Sequence, residues 1–210
     1  MKKQCYVLLG DVVKSREIKK RSAFDVRLKE ALDGVQRQYA KSFILPVRTW
    51  KGIDEIAAVL NSIEDIYSII DDINDTINPE QIRFALAKGT VEIEPGEKDV
   101  TRADGEAFHK AAGLMAELKK QRWLFAVETG SEIQDIALHT QVNMLLLIKS
   151  LWTEKQRAVF REYKKFDNQA TVAEKLKVTQ QTVSKALRSI AGFEVTQLER
   201  QVIKWTHATY

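Results

Sequence analysis

Met1-Lys2-Lys3-Gln4-Cys5-Tyr6-Val7-Leu8-Leu9-Gly10-Asp11 is the stretch on which the fold turns. Two lysines ahead of an apolar run are how a secretory leader begins. Asp11 closes the run after about five residues, short of the roughly 7–15 that a leader core needs. The segment therefore reads as a buried first strand, and the cytoplasm is the expected location. Cys5, the single cysteine of the 210 residues, packs inside that strand and has no partner for an intramolecular disulfide. No run reaches the roughly 18–20 apolar residues of a membrane span; the longest is Met144-Leu145-Leu146-Leu147-Ile148. A chain that is 44% hydrophobic and 30% charged is of ordinary globular composition.

Working outward from that strand, Ser22 to Tyr39 has helical periodicity, with Phe24, Leu28, Ala31, Leu32 and Val35 on one face. Phe43 to Trp50, a turn at Lys51-Gly52, and Ile56 to Leu60 read as a hairpin. A helix over Ile63 to Ile73 closes at Ile77-Asn78-Pro79. Ile82 to Ile93 reads as a strand, Pro95-Gly96 and Asp104-Gly105 as breaks, Gly105 to Gln121 as a helix and Trp123 to Val127 as a last strand. The order βαββαβαβ predicts a ferredoxin-like α+β sandwich with its helices on one face.

From Ser131 onward only helical periodicity remains, over 132–150, 153–166, 170–176, 180–190 and 195–207. The predicted organisation is an α+β domain over 1–130, a connector helix over 131–150 with an apolar face for packing or dimerisation, and an all-α domain over 151–210. Charge divides at the same place. Residues 151–210 carry 11 Lys+Arg against 6 Asp+Glu, whereas 1–150 carry 22 against 23. The mild positive excess of the C-terminal part suits a polyanion.

Gln169 to Arg188 resembles a helix-turn-helix. Val172, Leu176, Val178, Val183 and Ala186 fall where two short crossing helices share a core, and Ala173 is small at their closest approach. Thr179 suits the N-cap of the second helix. Thr179, Gln180, Gln181, Thr182, Ser184, Lys185 and Arg188 are then the candidate DNA-binding residues, of side-chain types suited to base edges and phosphates in a major groove. Upstream, Thr153-Glu154-Lys155-Gln156-Arg157 looks like the "T-x-x-Q-R" start of the sigma-factor region-four and LuxR type of module. The turn position usually held by Gly is Lys177, where a left-handed backbone costs roughly 1 kcal/mol. The competing reading is a set of packed helices, or the same motif used to bind protein.

The N-terminal part resembles the SatD family in four segments. Leu8 to Arg16 matches its "GDVVGSR" opening, Gly52 to Ile56 its "GDEFQ", Ile82 to Val91 its "RFGIGIGEI", and Arg102 to Ala111 its "ADGPAFHRA"; a C-terminal helix-turn-helix is also common in that family. The same segments look like a reduced class III nucleotidyl cyclase fold. That resemblance implies a homodimer. It also implies that Asp11 and Asp54, with Glu55 adjacent, hold Mg²⁺ or Mn²⁺ at the ends of strands. Lys14, Ser15, Arg16 and His109 are candidates for binding a nucleotide or anion. The chain departs from the cyclase pattern: its catalytic Asn and Arg positions are His109 and Gly113, and Ile53 replaces a hairpin glycine. A glycine supplies no charge to a developing phosphate negative charge, so the expectation leans away from an enzyme. The leading reading is a transcription regulator that binds double-stranded DNA and carries a cyclase-like sensor or oligomerisation domain. The alternative is a metal-dependent nucleotidyl cyclase or other nucleotide-processing enzyme using Asp11 and Asp54; a third is a protein-interaction adaptor.

Overall fold

A computed structural model of the chain describes residues 2–50, 52, 54–94 and 96–210; Lys51, Ile53 and Pro95 of the expectations above lie outside them. Among the described residues the elements run β1 (Lys2–Val12), α1 (Arg21–Gln38), β2 (Phe43–Thr49), β3 (Glu55–Leu60), α2 (Ile66–Ile77), β4 (Ile82–Glu92), α3 (Glu106–Gln121), β5 (Phe125–Glu128), α4 (Glu132–Ser150), α5 (Glu154–Phe166), α6 (Gln169–Leu176), α7 (Gln180–Ser189) and α8 (Gly192–Thr209). The α+β order is the one the periodicity predicts. The strands form one mixed sheet of order β2-β3-β1-β4-β5, in which β4–β5 pair in parallel and the other neighbours antiparallel.

The sheet is covered on both faces, which corrects the one-sided sandwich. Alternation along β1 sends Tyr6, Leu8 and Val12 to the face packed by α1 and α2, while Cys5, Val7 and Leu9 meet α3 on the other. Strands buried on both sides read as continuous apolar runs rather than alternating ones. That is the pattern of Val7-Leu8-Leu9 and of Ala85-Leu86-Ala87, all at most 4% exposed. Gly105, with φ 144°, permits a close approach: a Cβ there would lie 2.5 Å from the carbonyl oxygen of Thr90.

The core on the α1/α2 face continues without a break through α4 into α5–α8. α4 buries Leu138, Val142, Leu145 and Leu146 and leaves Ile133, Ile136, Met144 and Leu147 exposed, a second apolar stripe at helical spacing that Leu151 extends just past the helix end. No described helix is long and apolar enough to cross a membrane.

A buried polar cluster stitches α2, α4, α5 and α8 together. The Lys149 ammonium lies 2.6 and 2.7 Å from the Asp71 carboxylate oxygens and also pairs with Glu199. Lys164 reaches both carboxylates at 3.2 Å, and the Tyr67 hydroxyl donates to Glu199 at 2.8 Å. Burial opposes ionisation of Asp71, but the two ammonium groups beside it outweigh that and hold its carboxyl below the ordinary value. Burial likewise penalises the Lys164 charge, yet Asp71 and Glu199 push its pKa above the ordinary lysine value; burial and the same two carboxylates raise the Tyr67 phenol.

The raised pKa values of Lys164 and Tyr67 fix an alkaline limit. A group whose folded pKa is raised holds its proton more tightly folded than unfolded, so its contribution is complete below the unfolded pKa and is lost as pH rises through the folded one. Unfolded lysine and tyrosine titrate near about 10. We expect the urea midpoint to decline as pH is raised above about 10. A midpoint unchanged from pH 9 to 11 would contradict this, and Lys164→Gln should blunt the decline.

Candidate functional site

Two regions carry the residues singled out in the sequence. The first is the outward face of α7. The chain enters α6 at Asn168, whose side chain caps the helix by accepting from the amides of Ala170 (2.9 Å) and Thr171 (3.0 Å). Between α6 and α7 the backbone turns at Lys177, φ 53° and ψ 46°, the left-handed conformation expected of that position. The Val178 amide donates to the Ala173 carbonyl at 3.0 Å, and Thr179 Oγ1 caps α7 by accepting from the Thr182 amide at 3.1 Å.

Val172 and Val183 are fully buried and Ala173 nearly so, as the shared core requires, together with Leu187. Val178 departs from the expectation at 40% exposed, because the left-handed turn at Lys177 swings it out of the crossing. Thr179, Gln180, Gln181, Thr182, Lys185 and Arg188 are exposed and Ser184 is half-buried. Arg188 Nη2 donates to Ser184 Oγ at 3.0 Å, one turn back along the same face. The preceding α5 opens with a reciprocal cap between Thr153 and Gln156, and Gln156 also bonds Ser189 Oγ at 3.0 Å, tying α5 to the end of α7.

The second region lies at the Asp11 end of the sheet. Across the β1–β3 ladder Asp11 pairs with Glu55, so those two side chains share a face. With Trp50, Met115 and Lys119 they line a cleft of about 210 Å³ against α3. Lys119 Nζ is 2.8 Å from Asp11 Oδ1, and Arg83 Nη1 is 3.8 Å from Oδ2. Asp54 sits just outside the ladder; its carboxylate accepts from Ser15 Oγ at 2.9 Å and its carbonyl from the Val12 amide at 2.8 Å.

The carboxylates do not fit a divalent ion as they stand. Asp11 is neutralised by two cations, Asp54 is engaged by Ser15, and no group of three or more His, Cys, Asp or Glu among the described residues is arranged to hold a metal. Such an ion wants several oxygen ligands and no competing ammonium.

The remaining candidates are dispersed. Lys14, left-handed at φ 54°, pairs with Glu17 at 3.4 Å, and Arg16 is exposed. His109 is exposed near the start of α3, 3.7 Å from Asp104. Since Lys119 is the α3 residue that meets Asp11, His109 lies ten positions away, about 15 Å along the helix, and is not brought to the Asp11 end. Gly113 is exposed with open space around it. Glu55, named in the sequence only as the neighbour of Asp54, is the cross-strand partner of Asp11, and Lys119 is the residue that sequence reasoning left out of the cleft. The first is readable from hairpin register, whereas the second has no local signal.

The two regions define a class: a mixed-sheet α+β body covered on both faces, carrying a compact set of short helices built on one of its cores. The family profile that matches, over residues 6–204, is that of the SatD family, and the chain belongs to the SatD family. No curated protein sequence matches it. Among solved structures it is similar to a bacterial light-regulated adenylyl cyclase at 14% identity and TM-score 0.40, covering 60% of this chain and 76% of that one. A second structure of such a cyclase gives 15% identity and TM-score 0.45, covering 60% of this chain and 43% of that one. The guanylyl cyclase Cya2 gives 9% and 0.37, covering 58% and 71%.

Proposed function

We propose that this protein binds double-stranded DNA through α7 and acts as a transcription regulator. The observation that carries the reading is the two-sidedness of that helix. Val183 and Leu187 are wholly buried, while Gln180, Gln181, Lys185 and Arg188 stand exposed beside a capped N-terminus. Long polar and cationic side chains on one side of a helix whose other side is locked into a core are what a major-groove reader requires. The apolar stripe Ile133, Ile136, Met144 and Leu147 on α4, with Leu151 just past its end, is the surface we assign to a second copy, giving two α7 heads for a symmetric site.

The test is fluorescence anisotropy with duplex DNA from upstream of the protein's own gene, against scrambled duplex, over a salt series. Binding that prefers the upstream duplex and weakens steeply with salt is the expected result. Flat anisotropy with both duplexes removes the proposal.

A second reading, nucleotide processing, draws on one arrangement: Asp11 and Glu55 facing the same cleft beside Lys119 and Trp50. It requires Lys119 to release Asp11 before a metal can enter. Incubation with each nucleoside triphosphate and Mg²⁺ or Mn²⁺ would yield a product that Asp11→Asn abolishes.

A further inference from the structure

Between α1, α2 and α5 lies a cavity of about 610 Å³, a size typical of small-molecule sites. Trp152 and Phe160 supply an aromatic part of its wall, and Arg27, Arg157 and Arg161 a cationic part. The aspartates in the wall are already engaged: Asp71 by Lys149 and Lys164, Asp72 by the Tyr39 hydroxyl at 2.7 Å, and Asp75 by Arg161 at 2.6 Å. Glu30, also in the wall, is exposed.

Arg157 differs from the other cations. It is 9% exposed, and its Nη2 donates to the Lys149 carbonyl at the end of α4. Its Nε is enclosed without a hydrogen-bond partner, and no carboxylate among the described residues lies within 4.0 Å of its guanidinium. Arg27, which pairs with Glu80, has an enclosed Nε without a partner as well. A buried guanidinium whose hydrogen bond goes to a helix-end carbonyl, with Asp75 and Asp71 attracting it only from beyond ion-pair distance, is incompletely compensated: burial outweighs their attraction. Its planar fork of donors matches the geometry of a carboxylate or phosphate.

We propose that this cavity binds a small molecule carrying an oxyanion, carboxylate or phosphate. The anionic head takes the terminal guanidinium N–H groups of Arg157 that the Lys149 carbonyl does not use, and the body lies against Trp152 and Phe160. The site is separate from α7 and from the Asp11 cleft, and it stands whether or not the protein binds DNA.

The test is thermal unfolding of the full chain titrated with inorganic phosphate or with acetate, chloride keeping ionic strength constant. The expected result is a saturable rise with one or both anions, about 2–4 °C at roughly five times the dissociation constant; the anion that acts identifies the head group. Arg157→Met should abolish the saturable rise and leave the anion-free midpoint equal to or above that of the parent. Gly34→Glu blocks the cavity by another route. A Cβ at Gly34 meets nothing within 4 Å, and a side chain there favours the helix, so this variant folds even if the first does not. Lys185→Ala/Arg188→Ala should keep the rise, which separates failure of this proposal from failure of the DNA reading. Absence of a saturable rise with both anions, or a rise that survives in either cavity variant, overturns the proposal.

Discussion

Lys149→Ala is expected to lower the unfolding free energy by about 3–5 kcal/mol, because it strands buried carboxylates without their cation. Asp71 and Glu199 are 5% and 3% exposed, and Lys149 bridges them from the last turn of α4. Lys164 still reaches both carboxylates at 3.2 Å, but its own side chain is 38% exposed and replaces the buried charge only in part. The loss should exceed that of removing an exposed pair such as Lys120–Glu117, for which about 0–1 kcal/mol is usual. Urea unfolding measures both. A Lys149→Met/Asp71→Leu double variant should be less destabilised than the sum of the two single changes, since it removes charge from both sides at once. A Lys149→Ala midpoint close to that of the parent would mean that water reaches the cluster, and strict additivity would mean that the pair is uncoupled.

Under the DNA reading, Lys185→Ala/Arg188→Ala should weaken binding by about a hundredfold and flatten the dependence of log affinity on log salt by about 1–2. Both side chains are exposed on α7 and contribute nothing to its buried side, so the melting midpoint should stay within a degree or two of the parent, as for surface changes in general. Loss of DNA binding with the fold intact places the contact on α7. Unchanged affinity would move the interface elsewhere, and an equal weakening on upstream and scrambled duplex with a flattened salt slope would confine the lost contacts to phosphate positioning.

Most of the secondary structure was legible because it depends on local periodicity. Phe24, Leu28, Ala31, Leu32 and Val35 mark α1 at helical spacing, and all are buried. The α6–α7 pair was legible for a related reason: the Asn168 and Thr179 caps and the left-handed turn at Lys177 lie within a few residues of the bonds they make. The candidate DNA face follows from the same local register, since Val183 and Leu187 buried on one side leave Lys185 and Arg188 on the other.

What periodicity does not carry is which face meets what. Val7-Leu8-Leu9 announces a strand with no polar side, but only packing shows α3 on one face and α1 and α2 on the other. The pairing of Asp11 with Lys119 spans most of the N-terminal half of the chain, and that of Lys149 with Asp71 joins a connector helix to the α+β body. The sequence by itself determined the order of elements, the caps and the polar face of α7, because each rests on hydrogen bonds and side-chain spacing within one or two turns. Only the tertiary structure decided that Asp11 is already neutralised, that four helices meet at a buried ion cluster, and that Arg157 lines a cavity with no carboxylate at ion-pair distance among the described residues. Those outcomes come from burial, which removes water from charges far apart in the chain and leaves each to the partner the packing brings.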